Sequence, residues 1–507
     1  MVDAREYHDR TNHTPESVRA NSFRLDRANK PRPYKIYEDL PSVSPPGPPD
    51  PPDAPALSAI TPGQPEPGAT DAATGDPDIH TLCHYATGVT KELEMGGQQM
   101  RFRAASCTGK LYHVDVYAVT GAQGPLDAGV YHFDPHTGDF DVLREGDYRG
   151  LLAEVAGDYN GVAGAPVTFV LTSEWWRNAW KYRERTYRHA FWDSGTILAN
   201  LLSVAHAAGH RAEAVMSFAD DPVVELLGLD PAAEAPLDLV PVGTGADVPD
   251  GPEMTPLDPD ETPLSDRVEE YPLVPDAWRQ SRVADGANAR EWREDVREAV
   301  PVATRGPEAG EIVSLDPVDA ETAAARPVGA TIERRGSLRE YSHEPVSSRK
   351  VATVLDRALR GVPTDCAAGH APGGLLDCYC LVHAVEGVPS GAYQYHPGET
   401  TLERLGDTDR ETAGHLALDQ SVVGDSAVNV YLLADVDAVV GELGNRGYRL
   451  AQLEAGVALG RLYLATYAHL ALGGRGFTFY DDRVRQHLSP RADGQLPMTM
   501  FAFGKPG

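Results

Sequence analysis

The chain states one pattern twice, and that constrains its fold more than any other feature. Tyr187-Arg188 is matched by Tyr448-Arg449, Asp193 by Glu454, Gly195 by Gly456, Phe218 by Phe479 and Asp220-Asp221 by Asp481-Asp482, always 261 positions apart. An offset held without a gap over that distance marks a duplicated structural unit. The echo runs to the end of each copy, where 237–243 (LDLVPVG) stands opposite 498–504 (MTMFAFG). Upstream the offset slips by one, so that Tyr117 meets Tyr379 and Gly129-Val130-Tyr131 meets Gly391-Ala392-Tyr393.

The first copy reads as an α/β unit. A loop of small residues in 101–119 enters a strand with alternating side chains, and 129–143 forms two strands around the turn Asp134-Pro135-His136-Thr137-Gly138. The apolar run 165–174 suits the centre of a sheet. Tyr187, Phe191, Ser194, Leu198, Leu201, Leu202 and Ala205 then recur at spacings of three and four, one apolar stripe on a long helix that Gly209 ends. A short strand over 214–218 and a helix opened by Asp220-Asp221-Pro222 complete the unit.

Five segments follow: 1–40, with a helix near the capping pattern Thr14-Pro15-Glu16-Ser17; 41–79, a disordered or extended insertion; 80–243, the first copy; 244–327, an acidic tether with a little local helix; and 328–507, the second copy. The twelve prolines between Pro41 and Pro77 preclude helix or ladder there. Each copy keeps roughly 160 to 175 residues, enough for its own core. Near the start of the second, Val351, Leu355 and Leu359 share a helix face behind Ser347-Ser348.

The net charge of −30, from 75 acidic against 45 basic residues, argues against nucleic-acid binding. Acid spread over a soluble surface, as in organisms with a salty cytoplasm, accounts for it. No apolar run of about 18 residues occurs, and the amino terminus lacks a secretory core, so a cytoplasmic location is expected. Five cysteines, at 83, 107, 366, 378 and 380, read as reduced thiols rather than a disulfide framework. Cys378 and Cys380 lack a second pair, and His206/His210 lack a third ligand, so no metal is expected.

Two stretches offer ligand chemistry. Arg334, Arg335 and Arg339 with Ser337 supply guanidinium forks and a hydroxyl suited to phosphate, and Gly336 lets the backbone approach; the same run also suits a solvated basic turn. Ala105, Ser106, Thr108 and Gly109, within AASCTG, offer backbone N–H groups and small hydroxyls that suit a flat ligand.

Together with the repeated Tyr-Arg helix and its D/E-x-G, the RRGSLREY start and the AASCTGKLYHVDVY loop and strand, these resemble the nitroreductase superfamily, closest to its SagB/ThcOx-type FMN-dependent dehydrogenases in tandem-fused form. The resemblance implies an α+β fold of two FMN-binding nitroreductase-like domains forming an intramolecular pseudo-dimer. It assigns the flavin phosphate to Arg334, Arg335, Ser337 and Arg339, ring contacts to Ala105, Ser106, Thr108 and Gly109, and further cofactor contacts to Arg475 and Gly476. Ala105, Cys107 and Lys110 depart from the family loop. The reciprocal pieces are damaged, for the first copy lacks the arginine motif and 366–373 lacks the hydroxyl loop, so one FMN per chain is expected.

Lys181-Tyr182 matches the pair implied for azoline-oxidising relatives, with Tyr182 as base assisted by the Lys181 cation; a packed tyrosine at a solvated helix entrance is the alternative. Arg188 and Asp193 read as a structural charge pair recurring as Arg449 and Glu454. The implied activity is hydride transfer between a peptide or other small-molecule substrate and flavin, with an electron acceptor closing the cycle. The alternatives are an NAD(P)H-dependent nitro or quinone reductase and a non-catalytic scaffold. The chain is expected as a monomer or a further pair, without membrane or nucleic-acid partners.

Overall fold

The computed structural model describes residues 2–60, 76–95, 97–298, 305–308, 310–319, 326–366 and 372–507. The middle of the proline-rich stretch and most of 366–373 lie outside the described residues.

Two antiparallel sheets form the frame. The first orders its strands Ser42–Val43, Phe140–Glu145, Gly129–Phe133, Val114–Thr120, Val167–Glu174 and Glu234–Val242. The second orders Gly473–Gly476, Leu496–Gly504, Val428–Ala434, Asp377–Val382, Gly391–His396, Thr401–Gly406 and Ile312–Ser314. Five strands of each share one connectivity, and the register repeats with them. Tyr117 faces His132 and Val170, as Tyr379 faces Gln394 and Tyr431. Even the bulges coincide, at Val130/Tyr131 and Ala392/Tyr393 and again at Leu171/Thr172 and Leu432/Leu433. A bulge fixes local twist, so a shared bulge carries the same bend into both copies.

Each sheet has an outer apolar layer built from equivalent residues: Tyr117, Val170, Phe218, Val223 and Leu239 in one, Tyr379, Tyr431, Phe479, Val484 and Met500 in the other. The inner layer is common property. One core contains Leu198 and Leu201 of the first long helix, Thr186–Ala207, with Leu450 and Leu453 of the second, Val436–Ala468.

The two long helices cross backbone to backbone at the repeated glycines. A Cβ on Gly195 would lie 2.4 Å from the Gly456 carbonyl carbon, and one on Gly456 would lie 2.5 Å from the Phe191 oxygen. Any side chain there drives the helices apart.

Ion pairs exchange between the copies in the same reciprocal sense. Asp481 opens helix Asp481–Leu488 in the second copy and is gripped by Arg185 (3.0 Å) and Arg188 (2.7 Å) of the first. Asp220, its equivalent, is gripped by Arg446 (2.5 Å) and Arg449 (2.7 Å) of the second. All six side chains are buried. The expected pairing of Arg188 with Asp193 is therefore corrected: each arginine reaches an aspartate of the other copy, which stands in the first turn of a helix, near its positive end.

Non-repeated segments complete this axis. The helix Ala4–Arg10 brings Tyr7 edge-on to Tyr187 at 5.2 Å, and Arg188 donates to the His8 carbonyl at 2.7 Å. On the opposite side Arg449 donates to the Trp278 carbonyl at 2.8 Å. Trp278, fully buried, sits on helix Leu273–Gln280, so the interior of 244–327 is packed where a tether was expected. Helix Gly286–Glu298 follows, and Trp292 donates to the Leu443 carbonyl. The expected strand over 214–218 is reduced to isolated bridges at Ala214 and Val215. Residues 101–103 close a hairpin, Val89–Met95 with Gln98–Arg103, that the loop reading missed. In the first helix pattern Ser17 takes the reciprocal capping role that glutamate usually fills.

Two buried carboxyl groups have little hydrogen bonding. Asp238 accepts only from Ser194 Oγ, and Glu454 Oε1 has no partner. Burial raises Asp238 to about 7 and Glu454 to about 8. The folded state thus keeps protons that the unfolded chain has released above pH about 4, and stability is lost as pH rises through that window to about 8. Glu454→Gln is expected to raise stability by about 2–4 kcal/mol at pH about 8 and leave it unchanged at pH about 4, measured by denaturant unfolding.

Candidate functional site

The arginine motif of the second copy lies against the small-residue loop of the first. Helix Val328–Arg334 ends at the motif, and Arg335, its C-cap, donates from Nε to the Ala104 carbonyl (2.9 Å) and from Nη2 to those of Arg103 (2.9 Å) and Ala105 (3.1 Å). Leu338 N–H donates to the Gly474 carbonyl at 3.3 Å, which lays the motif along strand Gly473–Gly476. Gly476 N–H donates to Tyr463 OH at 2.8 Å.

Two predicted phosphate ligands are thereby committed elsewhere. Arg334 donates to the carbonyls of Tyr467 and His469, and Arg335 keeps only Nη1 for a ligand. Ser337 and Arg339 are exposed, and Gly336 has only Tyr467 OH near its missing side chain, at 3.6 Å.

The loop owes its shape to Asp193. Its carboxylate accepts from Thr108 N (2.9 Å), Thr108 Oγ1 (2.8 Å), Cys107 Sγ (3.0 Å) and His113 Nε2 (2.9 Å). Because a carboxylate only accepts, Nε2 carries the His113 proton and Nδ1 faces Ser173 Oγ. The Cys107, His113 and Asp193 polar atoms lie within 4.8 Å of one another and meet at the Asp193 carboxylate. Burial, reinforced by Asp193, pushes the Cys107 thiol well above its usual range and keeps it protonated. Thr196 Oγ1 fastens the Ser106 carbonyl at 2.7 Å, and Gly109 takes a left-handed φ of 66°. The sequence missed this role for Asp193, although its repeat, Glu454, marks it by accepting from Leu375 N–H at 2.8 Å.

Lys181 and Tyr182 end helix Trp175–Tyr182, before the long helix begins. Lys181 Nζ stands 4.9 Å from the Tyr182 ring centroid, and a Cβ on Gly109 would touch Tyr182 OH at 2.7 Å. Arg183 follows with φ 51°, where the second copy has Gly444 with φ 65°. A non-glycine residue in that conformation holds strain directly behind the pair.

The titration expected of Tyr182 is corrected. Burial, then Asp193 and Cys107, push its phenol well above the usual tyrosine range; Arg475, rather than Lys181, is the cation opposing them. Tyr182 therefore stays protonated at neutral pH. Lys181 is itself lowered, by burial and then by Arg475 and Lys30.

Residues 97–244 match the family model described as Nitroreductase family. The protein MJ1384 of Methanocaldococcus jannaschii, which carries the name nitroreductase, is 29% identical over 182 residues, covering 34% of this chain and 87% of its own. A crystal structure of an Anabaena variabilis protein that bears the same name aligns over 100% of both chains with a TM-score of 0.76 at 22% identity. The fold is mixed α/β and nitroreductase-like. Among the described residues no helix is long and apolar enough to cross a membrane.

Proposed function

We propose that the chain is an FMN-dependent oxidoreductase in which two nitroreductase-type copies form an internal pseudo-dimer around one flavin. The observation that carries this reading is the contact of Arg335 with the carbonyls of 103–105, which joins the motif of one copy to the loop of the other. A cofactor shared between copies needs that adjacency. The residues fit the group: Ser337, Arg339 and Arg475 offer a hydroxyl and two guanidinium groups for a phosphate, and exposed Gly109 and part-exposed Ser106 and Thr108 offer a slim edge for a ring. FMN would supply the hydride chemistry, and the chain supplies orientation and charge.

Asp193 holds the loop, Lys181 and Arg475 supply positive charge, and Tyr182 delivers a proton to substrate. Held protonated by burial, Tyr182 can donate a hydrogen bond to a substrate oxygen, so reduction of a quinone or nitroarene with a nicotinamide donor is the first reading. The second reading is SagB/ThcOx-type oxidation of a peptide azoline, supported by the place of Lys181-Tyr182 ahead of the long helix.

Anaerobic mixing separates the two. Under the first reading NADH or NADPH bleaches the visible flavin bands and a quinone or nitroarene restores them; bleaching by an azoline peptide alone would overturn it. Tyr182→Phe should lower kcat for quinone or nitroarene reduction about 100-fold with flavin content unchanged.

A further inference from the structure

A thiol, an imidazole and a carboxylate from three different elements converge beneath the small-residue loop. Cys107 lies in the loop, His113 stands immediately ahead of strand Val114–Thr120, and Asp193 belongs to the long helix Thr186–Ala207. The two oxygens of Asp193 have different neighbours. Thr108 N reaches both, at 3.0 and 2.9 Å, and Thr108 Oγ1 binds Oδ1 at 2.8 Å. Oδ2 alone faces Cys107 Sγ at 3.0 Å and His113 Nε2 at 2.9 Å. The loop can therefore stay fastened through Oδ1 while Oδ2 serves another partner.

Three observations point to a cation as that partner. Among the described residues no lysine or arginine pairs with Asp193, although it is only 4% exposed, and a buried carboxylate without a counter-charge is costly. Tyr112 N–H donates to Cys107 Sγ at 2.9 Å, a short contact that suits a thiolate better than a neutral thiol. Ser173 Oγ stands 2.9 Å from His113 Nδ1, the outer hydrogen bond that fixes the orientation of a ligating imidazole. The second copy differs at this point: Leu375 stands where the first has His113, and Oε1 of Glu454, the counterpart of Asp193, has no partner. With no imidazole there, the set is complete only in the first copy.

We propose that Cys107 Sγ, His113 Nε2 and Asp193 Oδ2 bind one zinc ion, with water from the part-exposed side of Cys107 as the fourth ligand. Thiolate with imidazole disfavours the hard cations magnesium and calcium and suits zinc. Atoms bound to one zinc stand roughly 3.3–3.8 Å apart, so the three close on the ion by shifts of under about 1 Å. Thiolate and carboxylate together cancel the charge of the ion, which makes the set cheap to bury. On binding, the thiol proton of Cys107 leaves to water, and the His113 proton passes from Nε2 to Nδ1, where Ser173 Oγ accepts it. The ion ties loop, strand and helix together beneath the residues assigned to the flavin ring, and its binding does not depend on the flavin reading.

Calorimetric titration with Zn²⁺ tests the site on untagged full-length protein that has been treated with a chelator, kept reduced and supplied with FMN, with retained flavin measured in the same samples. In parallel, Co²⁺ is added and the difference spectrum is searched for sulfur-to-cobalt charge transfer. One Zn²⁺ per chain is expected, together with that band. Cys107→Ser, whose hydroxyl can still donate to Asp193, should abolish the band and weaken Zn²⁺ at least about 100-fold, and Ser173→Ala should weaken it about tenfold, with circular dichroism unchanged in both. Folded protein that binds no Zn²⁺, equal affinity in Cys107→Ser, or bound Co²⁺ without the band each overturns the site. Protein that binds Zn²⁺ in a Cys107-dependent way but retains no FMN keeps the site and refutes the flavin reading.

Discussion

Asp481→Ala lowers the unfolding free energy by about 3–5 kcal/mol, and Asp220→Ala does the same, measured by chemical denaturation. Each change strands two buried guanidinium groups of the opposite copy, Arg185 and Arg188 or Arg446 and Arg449. Removing one partner of a buried pair costs far more than the pair contributes, because the remaining charge stays desolvated. Asp221, one residue on, pairs with Arg282 in a half-exposed bridge, so Asp221→Ala should cost under about 1 kcal/mol. Comparable losses at Asp221 and Asp220 would show that charge exchange does not join the copies. Gly456→Val attacks the same seam sterically, since its side chain meets the Phe191 and Trp192 carbonyls.

The second large effect concerns cofactor retention. Arg339→Ala with Arg475→Ala removes two exposed or half-exposed guanidinium groups, and FMN affinity is expected to fall by a factor of about 100 to 10,000. Thermal stability should hardly change, because Arg339 has no partner among the described residues and Arg475 rests only on Phe477. Arg334→Ala behaves differently. Its guanidinium holds the Tyr467 and His469 carbonyls at the end of the second long helix, so stability falls before affinity does. Flavin fluorescence on titration separates the two responses.

The 261-residue echo is legible because it falls on residues under tight constraint. Gly195 and Gly456 recur because two backbones touch there, and Asp220 and Asp481 recur because each neutralises two arginines of the other half. Sequence spacing could not say which copy supplies the partner, so Arg188 was matched to Asp193, five residues away, when its partner lies in the other half. The same blindness hid the anchoring role of Asp193, which acts on a loop distant in sequence. The motif singles out Lys181 and Tyr182, but the phenol's protonation depends on burial and on Asp193, and neither is written locally.

The proposed function requires a single flavin held between the two repeated halves. Denaturing purified full-length protein after incubation with FMN and gel filtration, then measuring released flavin against protein by visible absorption, tests it most directly. One FMN per chain is expected, lost in the Arg339→Ala and Arg475→Ala double variant. A colourless protein that retains no added FMN would contradict it.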